Sequence, residues 1–257
     1  MLITGKPMLN DASQSTALLS IGKAVPPHRL MQSDAAAAAR RIFAHRYAAF
    51  ERMAPVFETS GIRTRYTVKP LDWYFSDLDW PERNGAYLAG AQDLFVEAAS
   101  HALADAGCEA RDVDTIVTIS STGIATPSLE ARAARRMGFR SDVERVPVFG
   151  LGCAGGVSGL AIADRLARAR PGSTVLLVAI EICTAAFRMD QLTSANMVGT
   201  ALFGDGAAGL DAARQSTGLP ESAFRRPSQM SPSTRSSPRS MALSSFWSAS
   251  AVFSSTL

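Results

Sequence analysis

Residues 149–159 read FGLGCAGGVSG, with Cys153 between an apolar β-type run and a glycine-rich entry to a helix. The run VERVPVFGLG before it has the pattern of a buried strand. VSGLAIADRLARARPG after it has the period of an amphipathic helix closed by Pro171 and Gly172. Cys153 therefore falls on the turn between strand and helix. There the partial positive charge and free N–H groups of a helix N-terminus favour the thiolate, the nucleophilic form of the side chain. Gly152, Gly155 and Gly156 allow a sharp turn and the close approach of a substrate. A cysteine at such an address is a candidate nucleophile, against the plainer reading of a small buried hydrophobe.

Working outward, residues 16–209 alternate short apolar runs with amphipathic segments, the pattern of an α/β protein. TALLSIGKAVPP opens as a strand, and RTRYTV and DVDTIVTISST read as two more. DAAAAARRIFAHRYAAFERMAPVFETSGI is helix-rich, NGAYLAGAQDLFVEAASHALADAGC is one long helix stopped at Gly107, and SLEARAARRMGF is a further helix. STVLLVAIEI is a buried strand and LFGDGAAG begins the next. The organisation read from this pattern is an N-terminal extension at 1–15, a body at 16–210 and a Ser/Pro/Arg-rich segment at 211–257. That last segment has no lysine and no clear period, and LDAARQSTGLPESAFRRPSQ supplies no convincing strand. It reads as low-complexity and disordered, or as the product of a frameshift or misread stop.

Composition narrows the function classes. The chain has 257 residues, a net charge of +3 and a pI near 9.0. It has no Lys/Arg-rich stretch interleaved with aromatics, so nucleic-acid binding is not expected. Three cysteines, Cys108, Cys153 and Cys183, are too few and too scattered to suggest a disulfide framework or a metal site, and a reducing cytoplasm fits them. No signal-type segment opens the chain, and no window reaches the roughly 18 apolar residues of a membrane span.

FGLGCAGGVSGLA, VAIEICTAAFRMDQ, TALFGDGAAG and ETSGIRTRY, taken in this order-preserving set, resemble the N-terminal half of bacterial type III polyketide synthases, the chalcone and stilbene synthase family. ETSGIR and FGDGA are shared with ketoacyl-ACP synthase III. The GCAGG turn followed by EICTAAFR favours type III. The resemblance implies the N-terminal half of a thiolase-like, layered αβαβα fold and a homodimer. It implies an acyltransferase that loads an acyl-CoA starter on a cysteine and extends it with malonyl-CoA by decarboxylative condensation, with no cofactor beyond these substrates.

Carried across by position, the resemblance makes Cys153 the acylated nucleophile and Phe203 the gatekeeper between the CoA tunnel and the cavity. Gly199 and Cys183 become cavity-wall positions, and Ser121 and Thr122 small polar cavity residues. Thr126 falls where the family pushes a residue into the partner subunit's cavity. Cys183 is read as a packing residue rather than a second nucleophile, Asp205 as a turn aspartate holding its own backbone, and Arg52 as solvated. The family's mechanism also uses a histidine and an asparagine from the C-terminal half. His28, His45 and His101 all precede Cys153, so net condensation by this chain is not expected. The competing readings are a ketoacyl-ACP synthase III-like condensing enzyme and a non-catalytic fragment that only binds acyl-CoA or dimerises.

Overall fold

The structure is a computed structural model that describes residues 16–214. The proposed extension at 1–15, and all of the Ser/Pro/Arg-rich segment beyond its first four residues, lie outside the described residues. In chain order the elements are β1 (Thr16–Ala24), β2 (His28–Met31), α1 (Gln32–Phe43), α2 (Phe50–Met53), α3 (Val56–Thr59) and β3 (Thr64–Thr67). They continue with α4 (Trp80–Ala106), β4 (Thr115–Ile119), α5 (Leu129–Met137), β5 (Glu144–Val148), α6 (Gly155–Ala169), β6 (Thr174–Ile182), α7 (Ser194–Leu202) and β7 (Asp205–Arg214).

Five strands form one mixed sheet in the order β1-β7-β6-β4-β5. β4 runs parallel to β5 and β6, whereas β7 runs antiparallel to β6 and β1. One face of the sheet is covered by α4, whose Ala91, Leu94, Phe95, Ala98 and Ala102 pack with Ile116, Leu176, Val178 and Ile180. The other face carries α6, with Ala163 and Ala167 packed against Val117, Ile119, Leu177 and Leu210. Two helix layers around a sheet are half of the layered fold that the sequence suggests. A separate cluster joins α1, α3 and α7 through Phe43, Phe57, Met197 and Ala201.

Local sequence accounts for the long helix. Asp79 accepts the Glu82 N–H at 2.9 Å while the Glu82 side chain accepts the Asp79 N–H, a reciprocal cap. At the other end Gly107 adopts φ 71°, a left-handed conformation that glycine reaches without strain. The alanine stripe lets α4 lie directly on the sheet, for a β-carbon at Gly22 would stand 2.4 Å from the Ala98 carbonyl oxygen.

Three local expectations need correction. β5 is no buried strand: it is one edge of the described sheet, three of its five residues face solvent, and Phe149 just after it is 65% exposed. Pro147 suits such an edge, because it offers no N–H to a further ladder. The last strand does not falter at 210 but runs to Arg214, because β7 is gripped on both sides by β1 and β6 and neighbours override weak local propensity. The segment HRLM, unassigned from sequence, forms β2 and pairs antiparallel with β3.

Candidate active site

The Cys153 turn is built by the strand-to-helix junction. After β5, Gly150 (φ 83°) and Gly152 (φ 51°) turn the chain in conformations that favour glycine, and Gly152–Ala154 forms a short 3-10 turn leading into α6. Gly155 serves packing rather than turning: a β-carbon there would stand 2.6 Å from Ile119 Cγ2. The result is an exposed Cys153 thiol at the start of a helix that is pressed against the sheet.

Ser121 and Thr122, after β4, hold this turn to the end of β6. Both carboxylate oxygens of Glu181 accept the Ser121 N–H, at 3.0 and 3.1 Å, and Thr122 Oγ1 donates to Glu181 at 2.8 Å. Thr122 Oγ1 in turn accepts the Ile182 N–H, and Ser121 Oγ accepts the Gly152 N–H at 3.1 Å. Burial pushes the Glu181 carboxyl above its ordinary range, while the bonds from Thr122 and Ser121 pull it back toward the ionised form.

Beside this network opens a cavity of about 230 Å³. Its walls are α1 (Ala35, Ala39, Ile42), the turn holding Leu71, Tyr74 and Phe75, the segment Cys183–Phe187, and α7 with Phe203. Cys183, Gly199 and Phe203 thus share one mostly apolar chamber, and the Phe203 ring covers the bare α-carbon of Gly199, where a β-carbon would lie 3.3 Å from Cδ2. Burial holds the Cys183 thiol far above its ordinary range, and the charges of Asp205, Glu181 and Cys153 push the same way.

The sequence-derived set is therefore divided. Cys153 and Ser121 are not among the residues lining this cavity, and Thr122 borders a second pocket with Trp80, Arg83 and Arg188. Thr126 is exposed on the loop before α5, and its carbonyl accepts from Arg132 Nη2. Arg52 is exposed.

Asp205 departs from its expected role. It ties distant segments together, accepting the Thr184 N–H at 2.8 Å and the Val68 N–H at 2.8 Å, rather than holding its own turn. Thr184 Oγ1 also donates to it at 2.6 Å, and so must accept from Tyr74, 2.6 Å away. Despite these bonds, burial raises the Asp205 carboxyl to about 6.

Sequence reasoning passed over Glu181, Gln32 and Arg65. A carboxylate inside the otherwise apolar run STVLLVAIEI was the available signal, because a buried charge is costly without dedicated partners. Arg65 had no such signal: in TRYT the apolar Tyr66 would be read as the inward residue, whereas the structure buries Arg65 and Thr67. Nothing local marks Gln32.

A mixed sheet clothed by helices on both faces, with a cysteine at a strand-to-helix turn, is one half of a thiolase-like fold. Residues 7–212 match the sequence model described as chalcone and stilbene synthases, N-terminal domain, and the chain belongs to that family. Among its relatives, 1,3,6,8-tetrahydroxynaphthalene synthase of Streptomyces peucetius subsp. caesius is 39% identical over 218 residues, covering 83% of this chain and 58% of the relative. The crystal structure of 1,3,6,8-tetrahydroxynaphthalene synthase from Streptomyces coelicolor A3(2), a bacterial type III polyketide synthase, superposes with a TM-score of 0.73 at 30% identity. It matches over 78% of this chain and 57% of its own. The C-terminal type III polyketide synthase domain of a type I/III hybrid from Dictyostelium gives 0.68 at 29%, over 77% and 56%. The chain thus spans a little over half the length of these relatives. No described helix is long and apolar enough to cross a membrane.

Proposed function

We propose that this chain carries the acyl-loading half of a type III polyketide synthase, with Cys153 as the nucleophile. In the loading step the Cys153 sulfur attacks the thioester carbonyl of an acyl-CoA, the C–S bond to CoA breaks, and the CoA thiolate takes up the proton lost from the cysteine. The chain's three histidines, His28, His45 and His101, all precede Cys153, so this half is expected to stop at the Cys153 thioester and to carry out no net condensation with malonyl-CoA. The acyl chain lies in the chamber of Cys183, Gly199 and Phe203, with Phe203 as its gate.

The observation that carries this reading is the exposed Cys153 at the entry to α6, whose turn is tied through Gly152 and Ser121 to Glu181 on β6, the strand that leads directly into the chamber residue Cys183. The chamber walls offer methyl groups, aromatic edges and few polar atoms, which suits an acyl chain better than a sugar or nucleotide. A homodimer belongs to the same proposal: Thr126 and Ile124 project from an exposed loop, and β5 is an edge strand among the described residues, beside exposed Phe149. The small number of cysteines supports a reducing, cytoplasmic setting.

Donor choice tests the reading. Offered the same acyl group on CoA and on acyl carrier protein, the chain is expected to be acylated from CoA. Transfer from the carrier protein alone would assign it instead to the ketoacyl-ACP synthase III type.

A further inference from the structure

We propose that Arg65 is the positioning residue for Phe203: its buried guanidinium, steered by Gln32, gathers the carbonyl groups in which α7 ends and so sets the Phe203 ring against the cavity wall. This rests on the reading of Phe203 as the gate only for its consequence in substrate choice, not for the geometry.

A helix leaves its last carbonyls without intrahelical donors. α7 ends at Leu202, and Phe203 returns one bond, its N–H to the Gly199 carbonyl at 2.9 Å. Arg65 supplies donors to two more of them and to the Phe203 carbonyl just beyond. Its Nη1 donates to the carbonyls of Thr200 at 2.5 Å and Phe203 at 3.0 Å, and its Nη2 donates to Ala201 at 2.7 Å. Nη2 also donates to Gln32 Oε1. The Gln32 amide is itself fixed, because Nε2 donates to Phe57 O at 3.1 Å and to Ala201 O at 3.0 Å. One planar fork on β3 therefore holds three carbonyls at the end of α7, those of Thr200, Ala201 and Phe203 itself. A lysine ammonium, a point charge on a flexible stem, could not do so with the same geometry.

Burial indicates that this arrangement is more than surface decoration. Arg65 is 7% exposed, Gln32 is 8% exposed, and Arg65 Nε has no partner among the described residues. Desolvation lowers the guanidinium to about 10, yet leaves it charged at neutral pH. A buried cation with an unpartnered donor costs stability compared with an apolar side chain of the same size. What it supplies is a fixed end to α7, where the negative end of the helix dipole also favours a cation. Both Arg65 and Thr200 line the chamber beside Phe203, so a shift of this anchor moves the wall directly.

The test is fluorine NMR on the full chain labelled with 4-fluorophenylalanine, the Phe203 line assigned with Phe203→Leu and a remote core line with Phe95→Leu. In Arg65→Met the Phe203 line is expected to shift and broaden while the Phe95 line stays in place. Gln32→Met, which removes the steering group and leaves the guanidinium, should produce a smaller change of the same kind and serves if Arg65→Met does not fold. A Phe203 line unmoved in either folded variant, or one that changes only together with Phe95, overturns the proposal. If the Phe203 line moves but the preference among acyl-CoA chain lengths does not, the positioning role stands and the gate reading fails.

Discussion

The Ser121 hydroxyl accepts the backbone N–H of Gly152 at 3.1 Å, one residue before Cys153, while the Ser121 N–H is spent on Glu181. Ser121 is thus the strut between the Cys153 turn and the end of β6. Replacing it with alanine leaves the Gly152 N–H without its acceptor, a loss of about 1 kcal/mol. Amide exchange at Gly152 should quicken selectively in Ser121→Ala, because the turn opens locally before the sheet does. Unchanged exchange there would mean that the turn is held by other contacts.

Asp205 predicts a pH dependence of stability. Burial raises its carboxyl to about 6 in the folded chain, above the roughly 3.9 of an aspartate in the unfolded chain, so between these values the folded state binds more protons than the unfolded state. Stability from this group is therefore present below about pH 4 and declines as the pH rises through 6, by on the order of 3 kcal/mol. Urea midpoints measured from pH 4 to 7 should fall less steeply in Asp205→Asn than in the parent chain. Parallel profiles would show that the burial of Asp205 is not felt as a titration.

Gly155→Ala should destabilise by about 1–3 kcal/mol, since the added methyl meets Ile119 Cγ2 at 2.6 Å and α6 must lift from the sheet. Thermal unfolding checks this. A variant as stable as the parent would contradict the close contact at the foot of the Cys153 turn.

The three thiols should react unequally. Cys153 is exposed, whereas burial and then the charge of Asp211 push Cys108 up to about 11, and burial holds Cys183 well above its ordinary range. Iodoacetamide near neutral pH is expected to label Cys153 first, read by peptide mass mapping of the native chain. Equal labelling of all three would remove the case for Cys153 as the reactive group.

What the sequence made legible was local. The β4, β6 and α4 segments are strongly periodic and long enough that pattern alone places them, and the glycine-flanked Cys153 announces its own turn. The edge position of β5 could not be read this way, because which strand lacks a neighbour is a property of the sheet, not of VERVPV. The same holds for the end of β7, where Ala212–Arg214 have little strand propensity of their own and are carried by β1 and β6. In the site, Cys183, Gly199 and Phe203 fall together in the chamber. Glu181, Arg65 and Gln32 become meaningful only through partners as distant as Ser121, Phe203 and Ala201.

Acyl transfer to Cys153 is the centre of this account, and intact-mass spectrometry after incubation with a long-chain acyl-CoA tests it most directly. The chain should gain the mass of one acyl group, and Cys153→Ala should gain none. An unmodified parent chain, or equal acylation of the Cys153→Ala variant, would contradict it.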